Sequence, residues 1–230
     1  MSTILVTGAN RGIGLEFARQ YAENGANVIA CCRNPEQAED LAAIARDHKD
    51  RVEIIQLDVT DAASVELLGR RLEGRPIDVL INNAGVMGGR RQQFGDLDYH
   101  EWAHCLSVNV MGPMRVSETL ADNVAAGDER KIVNVSSRMG SIGDASGGAY
   151  IYRTSKAALN MASRVLANEL ADRGVTVLAV HPGWVQTRMG GANAAVTPRD
   201  SVSGLRALIE KAGPEMSGRF WHYEGWEIPW

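Results

Sequence analysis

The sequence predicts an α/β fold, in which one doubly wound parallel sheet of about seven strands carries helices on both faces. Two observations indicate this fold. Short apolar runs alternate with longer amphipathic runs along the whole chain, which is typical of strand–helix repeats around a parallel sheet. The short runs are rich in β-branched residues and nearly continuous in apolar character, as in strands that are covered on both faces.

The short apolar runs predict the strands and the amphipathic runs between them predict the helices. The strands are Thr3–Val6, Asn27–Cys31, Val52–Gln56, Val79–Asn82, Lys131–Val135 and Thr176–His181, with a last strand at Gly218–Trp221. The helices are Gly12–Glu23, Glu36–His48, Ala62–Leu72, Tyr99–Val124, Tyr150–Ala171 and Pro198–Lys211. Gly25 and Gly174 follow two of these helices, where a left-handed cap is common.

The composition excludes several classes of protein. The 230 residues are 45% apolar and 23% charged, which predicts one globular domain over residues 1–230. The formal charge of −4 argues against a nucleic-acid partner. Cys31, Cys32 and Cys105 lack the spacing of a metal site or a disulfide framework, so we expect no metal and a reducing cytoplasm. No secretory signal and no apolar run of about 20 residues is visible, so we expect no membrane association.

A glycine-rich turn follows the first strand and opens the first helix. Gly8, Gly12 and Gly14 have the spacing G-x-x-x-G-x-G. Glycines let a pyrophosphate approach the backbone, and a helix N-terminus offers free N–H groups and a positive dipole end. We therefore predict a dinucleotide-binding turn, with an ordinary tight turn as the alternative. Its residues are Gly8, Asn10, Arg11, Gly12, Ile13 and Gly14.

The residues after the second strand bear on which dinucleotide is bound. An acidic residue normally stands here when a free ribose 2′-hydroxyl is bound, but this chain has Cys32 and Arg33. Arg33 and Arg11 could instead bind a 2′-phosphate, each through a charge-assisted hydrogen bond worth about 1.5–3 kcal/mol, or roughly tenfold to hundredfold in affinity. The sequence therefore predicts NADP(H) in preference to NAD(H). The alternative is that both arginines are solvated surface charges.

Polar and small residues follow the third and fourth strands. Asp58 could accept a hydrogen bond from an adenine amino group; the alternative is a helix N-cap, for which Asp61 is better placed. Small residues after Asn82 would let the backbone approach the cofactor, while the Asn82 amide could equally tie neighbouring strands together. The predicted cofactor contacts in these two segments are Asp58, Val59, Asn83, Ala84 and Gly85.

A tyrosine and a lysine predict the catalytic centre. Tyr152 and Lys156 are four residues apart in a predicted helix and share one face. The lysine ammonium favours the phenolate, so Tyr152 could exchange a proton with a substrate oxygen near neutral pH. Ser137, after the fifth strand, could hydrogen-bond the same oxygen. The alternative is a surface pair and a loop serine. Tyr150 is a poorer candidate, because position 154 is threonine and not lysine.

Together these motifs resemble the short-chain dehydrogenase/reductase family. The matching residues occur in the family's order over nearly the whole chain and are Thr7, Gly8, Gly12, Gly14, Asn82, Asn83, Ala84, Gly85, Asn109, Ser136, Ser137, Tyr152, Lys156, Pro182, Gly183 and Thr187. The stretch Tyr152–Asn160 and the ending Trp221–Trp230 further resemble a branch with the myxobacterial C-factor and the sniffer carbonyl reductases. The resemblance implies a Rossmann-type fold and oxidoreductase activity.

The resemblance also implies roles for particular residues. Lys156 would hold the nicotinamide ribose hydroxyls, and Asn109 would position a water that links Lys156 to solvent. Thr187 would bond the nicotinamide carboxamide, in a cofactor-binding segment formed by Pro182, Gly183, Val185 and Thr187. Helices Tyr99–Val124 and Tyr150–Ala171 resemble those of the family's usual interface, which implies a homodimer or homotetramer.

The segment 184–198 lies where the family places its mobile substrate flap. Its small residues predict a flexible flap over an open pocket. The candidate apolar lining residues are Met139, Phe94, Trp184 and Met189, although each could equally lie in the core. Such a lining suits a small apolar or aromatic carbonyl or alcohol. The loop between Ser137 and Tyr152 is slightly longer than is common in the family and could reshape this pocket.

The sequence thus predicts an NADPH-dependent carbonyl reductase with the catalytic set Asn109, Ser137, Tyr152 and Lys156. One alternative is a cofactor-binding signalling or redox-sensor protein of the C-factor type, for which a degraded catalytic set is expected. The other is an NAD-linked alcohol dehydrogenase, for which an acidic residue is expected at position 32. The intact set and Cys32 favour the reductase.

Overall fold

The β-branched runs assemble into one parallel sheet of seven strands. The computed structural model describes residues 1–230. The strands are β1 (Thr3–Thr7), β2 (Asn27–Cys32), β3 (Val52–Gln56), β4 (Val79–Asn82), β5 (Gln92–Gln93), β6 (Asp96–Leu97), β7 (Lys131–Val135), β8 (Thr176–His181) and β9 (Arg219–His222). The sheet has the order β3-β2-β1-β4-β7-β8-β9, and β5 and β6 form a separate antiparallel hairpin. The chain direction across the sheet reverses between β1 and β4, which creates a topological switch point.

Helices cover both faces of this sheet. They are α1 (Gly12–Glu23), α2 (Glu39–Asp47), α3 (Ala62–Arg71), α4 (Tyr99–Leu106), α5 (Gly112–Ala125), α6 (Tyr150–Glu169) and α7 (Pro198–Lys211). Successive strand residues point to opposite faces: Ile4 and Val6 join one apolar core with α1, α2 and α7, whereas Leu5 joins a second core with α3, α5 and α6. The predicted doubly wound α/β fold is therefore confirmed. None of the helices has the length and apolar character that crossing a membrane requires.

The structure differs from the predicted elements in two places. The predicted helix Tyr99–Val124 is divided into α4, a π-helical turn over Ser107–Met111, and α5. The side chain of Asn109 in this turn binds the backbone of a neighbouring loop, which favours the wider turn at that position. The hairpin of β5 and β6 was not predicted, because its two-residue strands are too short to show a periodic apolar pattern.

Buried polar groups hold the strands and helices in register. The Asn82 Nδ2 atom donates to Asn134 Oδ1 at 2.9 Å and to Ser117 Oγ at 3.0 Å, so this asparagine ties β4 to β7 and α5. Asp61 Oδ1 accepts a hydrogen bond from the backbone N–H of Ala63 at 3.0 Å and caps α3. Both contacts confirm the structural interpretations of these residues.

Candidate active site

The predicted cofactor-binding and catalytic residues gather at the carboxyl edge of the sheet. The glycine turn follows β1, Arg33 follows β2, and Asp58 lies beyond β3. Asn83 and its small neighbours follow β4, Ser137 lies beyond β7, and the segment from Pro182 follows β8. Because parallel strands end at the same edge, these segments surround the switch point between β1 and β4, where ligands of open α/β sheets bind.

The glycine turn is packed too closely to accept side chains. Gly8 has a φ of 65°, and a Cβ at this position would lie 2.9 Å from the Cα atom of Ala84. A Cβ at Gly14 would collide with the carbonyl oxygen of Gly8. Asn83 Nδ2 stabilises the turn by donating to the carbonyl oxygens of Thr7 at 2.9 Å and Gly8 at 3.2 Å. The resulting concave backbone could receive a pyrophosphate without obstruction by any Cβ.

The N-terminus of α1 opens into this turn. Arg11 is the N-cap residue of α1 and has extended backbone, but its side chain makes no capping hydrogen bond. The first amides of an α-helix have no intrahelical partner, so those of α1 are available to an anion. A dinucleotide phosphate fits this helix end by charge and by hydrogen bonding.

Charged residues lie where the adenosine end of a dinucleotide would be expected. Arg11 and Arg33 are both exposed, and Cys32 is buried at the end of β2. Burial acts to raise the pKa of Asp58, but hydrogen bonds from Thr60 and the positive charge of Arg33 outweigh this effect and lower the pKa of this carboxyl. An ionised Asp58 therefore stands close to Arg33.

Val59 differs from its neighbour Asp58. Its side chain is buried in the core against Gly112. Only the backbone of Val59 could therefore make the predicted contact with a cofactor.

Tyr152 and Lys156 lie together in the interior beside β7. Both side chains are buried, and the Lys156 Nζ atom is 5.8 Å from the centroid of the Tyr152 ring. Nζ donates a hydrogen bond to the carbonyl oxygen of Val135 at 2.8 Å. Two of the predicted catalytic side chains thus share one face of α6, as the four-residue spacing requires.

The two serines after β7 have different partners. Ser136 Oγ donates to Asn160 Oδ1 at 2.5 Å and is therefore engaged in packing α6 against the sheet. Ser137 Oγ accepts from the backbone N–H of Met139 at 3.2 Å, and its hydroxyl is close enough to the Tyr152 phenol to lower the pKa of that group. The contacts favour Ser137 over Ser136 for chemistry.

Burial controls the protonation of the tyrosine and the lysine. Loss of water raises the pKa of Tyr152 to about 12, although the Ser137 hydroxyl acts in the opposite direction. Burial lowers the pKa of Lys156 to about 8, with a small opposing effect of Cys105. Burial therefore keeps Tyr152 a neutral phenol in the cofactor-free protein, and the effect of Lys156 on the phenolate stays a prediction.

Asn109 lies in the π-helical turn and faces the loop after β4. Its Oδ1 atom accepts from the N–H of Val86 at 2.8 Å, and its Nδ2 atom donates to the carbonyl oxygen of Val86 at 2.9 Å and to Ser155 Oγ at 2.9 Å. A Cβ at Gly85 would lie 3.3 Å from Asn109 Oδ1 and 3.7 Å from Lys156 Nζ. The polar ends of Asn109 and Lys156 therefore both lie next to Gly85.

Three supporting residues near this site were not predicted. Cys105 Sγ lies 3.2 Å from Asn109 Nδ2, Ser155 bonds the same amide, and Gln92 bonds the backbone of Tyr152. Ser155 and Cys105 carry no motif of their own. The one available signal was their position in the helices that contain Tyr152 and Asn109.

The segment after β8 folds back on itself and approaches the glycine turn. A Cβ at Gly12 would lie 3.3 Å from Thr187 Cγ2, so the two predicted cofactor segments are adjacent. Val185 is buried and pairs with Val196, and Trp184 Nε1 donates to the carbonyl oxygen of Gly190 at 2.8 Å. The segment 184–198 thus forms a loop closed by its own hydrogen bonds, and its flexibility stays a prediction.

None of the candidate substrate-lining residues belongs to the core. Trp184 and Met189 are exposed, and Met139 is partly buried. Phe94 lies in the turn of the β5–β6 hairpin and is 86% exposed. The core alternative is thus excluded for all four. The structure brings together no group of three or more His, Cys, Asp or Glu side chains that could bind a metal ion.

The chain matches the model of the short chain dehydrogenase family over residues 2–196. C-signal of Myxococcus xanthus is 47% identical over 156 residues, which cover 67% of this chain and 93% of that protein. A 1-hydroxy-2-glutathionyl-2-methyl-3-butene dehydrogenase of Rhodococcus sp. (strain AD45) is 38% identical over 237 residues, which cover 100% of both proteins.

Two solved structures are similar over the whole fold. An NADPH-bound carbonyl reductase from chicken fatty liver has a TM-score of 0.91 at 33% identity and covers 100% of this chain and 99% of its own. The carbonyl reductase Sniffer of D. melanogaster has a TM-score of 0.93 at 31% identity and covers 100% of both chains. These similarities confirm the predicted fold and branch. The chain belongs to the short-chain dehydrogenase/reductase family of oxidoreductases.

Proposed function

We propose that this protein is an NADP(H)-dependent carbonyl reductase in which Tyr152 gives a proton to the substrate oxygen. The buried phenol of Tyr152 carries the proposal. Its pKa of about 12 keeps it protonated at neutral pH, and this is the form that can protonate a carbonyl oxygen.

The residues around the switch point fit the cofactor. The glycine turn and the open N-terminus of α1 would hold the pyrophosphate, and Arg33 and Arg11 would bind the 2′-phosphate. Asp58 would accept from the adenine amino group, and Thr187 would bond the carboxamide. When bound, the cofactor supplies the hydride. The further backbone contacts would come from Asn10, Ile13, Val59, Asn83, Ala84, Gly85, Pro182, Gly183 and Val185.

The protein's own side chains would bind the substrate oxygen and transfer the proton. Ser137 would donate a hydrogen bond to the carbonyl oxygen and stabilise its developing negative charge. Tyr152 would then release its proton to that oxygen, and the Lys156 ammonium would stabilise the phenolate that forms. Because the pKa of Lys156 is about 8, this lysine could return a proton to the Tyr152 phenolate near neutral pH and recover one from solvent through a water held by Asn109.

We infer that the substrate is a small apolar or aromatic carbonyl compound. The exposed indole of Trp184 and the side chains of Met139 and Met189 support an apolar binding surface beside the flap at 184–198. The free, buried thiols of the three cysteines support a reducing compartment such as the cytoplasm.

The test is a turnover assay with a panel of small apolar and aromatic aldehydes and ketones, with either NADPH or NADH as the reductant. We expect consumption of NADPH with at least one member of the panel, and slower consumption of NADH at the same concentration. Failure to consume NADPH with every member would contradict the proposal.

Alcohol oxidation is a second candidate function. The full-length similarity to the Rhodococcus dehydrogenase favours it, and the same assay run with alcohols and NAD⁺ or NADP⁺ tests it. Faster turnover with an alcohol and NAD⁺ than with any carbonyl and NADPH would replace the reductase by this dehydrogenase.

A further inference from the structure

The helix that carries Tyr152 and Lys156 begins without a cap of its own. α6 starts at Tyr150, and its N-cap residue Ala149 has left-handed backbone with a φ of 52° and makes no side-chain hydrogen bond. The first N–H groups of a helix lack intrahelical partners, and the N-cap side chain usually binds one of them. The buried N–H of Tyr152 must therefore find its acceptor elsewhere in the fold.

Gln92 supplies this acceptor from the β5–β6 hairpin. Its Oε1 atom accepts from the backbone N–H of Tyr152 at 3.0 Å, 60 residues further along the chain. Its Nε2 atom donates to the carbonyl oxygens of Met87 at 3.0 Å and Gly89 at 2.9 Å. The side chain is 7% exposed. Both donors and the acceptor of this buried amide are thus used, which is the condition for a polar group to be tolerated there.

The two carbonyl groups belong to the loop that also binds Asn109. Val86, at the start of this loop, exchanges two hydrogen bonds with the Asn109 amide. Gly88 has a φ of 82°, and a Cβ at this position would collide with Ile151 Cγ2. The loop therefore lies directly on the first turn of α6. Gln92 therefore connects the backbone of Tyr152 to the loop that contains Val86, the hydrogen-bond partner of Asn109.

We propose that Gln92 is a positioning residue for the reduction, and that it fixes the main chain of Tyr152 relative to Asn109. The proposal rests on the function proposed above. Gln92 does not touch the reacting atoms and acts through the Tyr152 backbone. Displacement of a reacting group by about 1 Å can cost about a hundredfold in rate, so the loss of this contact should affect turnover more than cofactor binding.

The first test compares Gln92→Met with Gln93→Met. The first substitution keeps the length of the side chain and removes all three hydrogen bonds; the second changes the exposed neighbour in the same hairpin. We expect Gln92→Met to lower kcat by about tenfold to a hundredfold, with the Kd for NADPH within about twofold of the wild type and Gln93→Met unchanged. Both variants are assayed below their Tm. Wild-type kcat in Gln92→Met, or a matching loss in Gln93→Met, would overturn the proposal.

The conservative variant Gln92→Glu adds a pH-dependent readout. A glutamate keeps the acceptor for the Tyr152 N–H but meets the carbonyl oxygens of Met87 and Gly89, to which only its protonated form can donate. We expect the ratio of its kcat to that of the wild type to rise as the pH is lowered, while the ratio for Gln92→Met stays constant. A ratio for Gln92→Glu that does not change with pH would count against the proposal.

Hydrogen exchange separates this proposal from the proposed function. We expect the amide of Tyr152 to exchange faster in Gln92→Met than in the wild type and in Gln93→Met, because it loses its acceptor. Faster exchange in Gln92→Met, together with a wild type that reduces no carbonyl, would reject the proposed function and retain the contact. Unchanged exchange would reject the positioning role, whatever the activity of the wild type.

Discussion

At the scale of single residues, the surroundings favour one of two similar side chains for the proposed chemistry. The motif spacing predicted Tyr152 and Ser137, and the contacts explain this choice: Tyr150 is 39% exposed and Ser136 is bound to Asn160. The protonation of Tyr152 could not be predicted from spacing. Spacing showed that Lys156 is near, but the degree of burial, which dominates the pKa, depends on the packing of the whole site.

The charge at residue 33 should determine the choice of cofactor. Replacing Arg33 by Ala removes a charge-assisted hydrogen bond to the 2′-phosphate, and we expect NADPH binding to weaken by roughly tenfold to a hundredfold. The Kd for NADH should stay constant, because NADH lacks this phosphate. Fluorescence titration measures both values, with the exposed Arg46→Ala as control. Equal weakening of both cofactors would indicate a change in the fold instead.

Lys156 should destabilise the cofactor-free protein near neutral pH. Its pKa falls from 10.5 to about 8 in the folded state, so folding buries a charged ammonium below about pH 8, and this cost declines as the pH rises from about 8 towards 10.5. We expect Lys156→Met to abolish turnover and to raise the free energy of unfolding at neutral pH by roughly 1–3 kcal/mol.

Urea unfolding at two pH values tests this expectation. The advantage of Lys156→Met over the wild type should be full near neutral pH and smaller at mildly alkaline pH, where the folded wild type has lost the lysine charge. A variant that is less stable than the wild type at neutral pH would show that the bond from Nζ to Val135 outweighs the burial of the charge.

At the scale of elements, the strands of the main sheet were predicted well, whereas the short hairpin and the π-helical turn were not. The strands β3, β4, β7 and β8 have the predicted bounds. The β5–β6 hairpin was missed because its strands contain two residues each. The π-helical turn was missed because it depends on a side-chain contact between Asn109 and Val86, which are distant in sequence.

The glycine turn has little tolerance for substitution at Gly14. A methyl group at Gly14 would collide with the carbonyl oxygen of Gly8 and with the Asn83 amide, so we expect Gly14→Ala to weaken NADPH and NADH binding equally and by more than tenfold. The control is Gly147→Ala, whose added Cβ meets nothing within 4 Å. Wild-type binding in Gly14→Ala, measured by the same titration, would exclude the turn as the pyrophosphate site.

At the scale of the whole molecule, the order of the strands follows from right-handed strand–helix alternation. Assembly is harder to predict, since it depends on surfaces that the alternation does not specify. Met161 and Val165 are exposed apolar residues one turn apart on α6, and Met111 is exposed immediately before α5. Apolar side chains grouped on neighbouring helices are typical of a subunit interface, in agreement with the homodimer or homotetramer that the family resemblance implies.

A charged side chain introduced on the exposed face of α6 should therefore dissociate the oligomer into monomers. We expect the wild type to sediment as a dimer or tetramer and Met161→Lys to sediment as a monomer, because an unpaired ammonium would be buried at the interface. Leu67→Lys, a change of an exposed leucine on α3, should leave the assembly intact. A wild type that is monomeric at micromolar concentration would contradict the proposed interface.

Tyr152→Phe tests most directly whether Tyr152 gives the proton that completes carbonyl reduction. The variant loses one hydroxyl group and keeps the packing of the ring. We predict a kcat at least about a hundredfold below that of the wild type and an unchanged Kd for NADPH, with full activity in the control Tyr150→Phe. Turnover at the wild-type rate in Tyr152→Phe would contradict the account and favour a protein that binds the nucleotide as a signal.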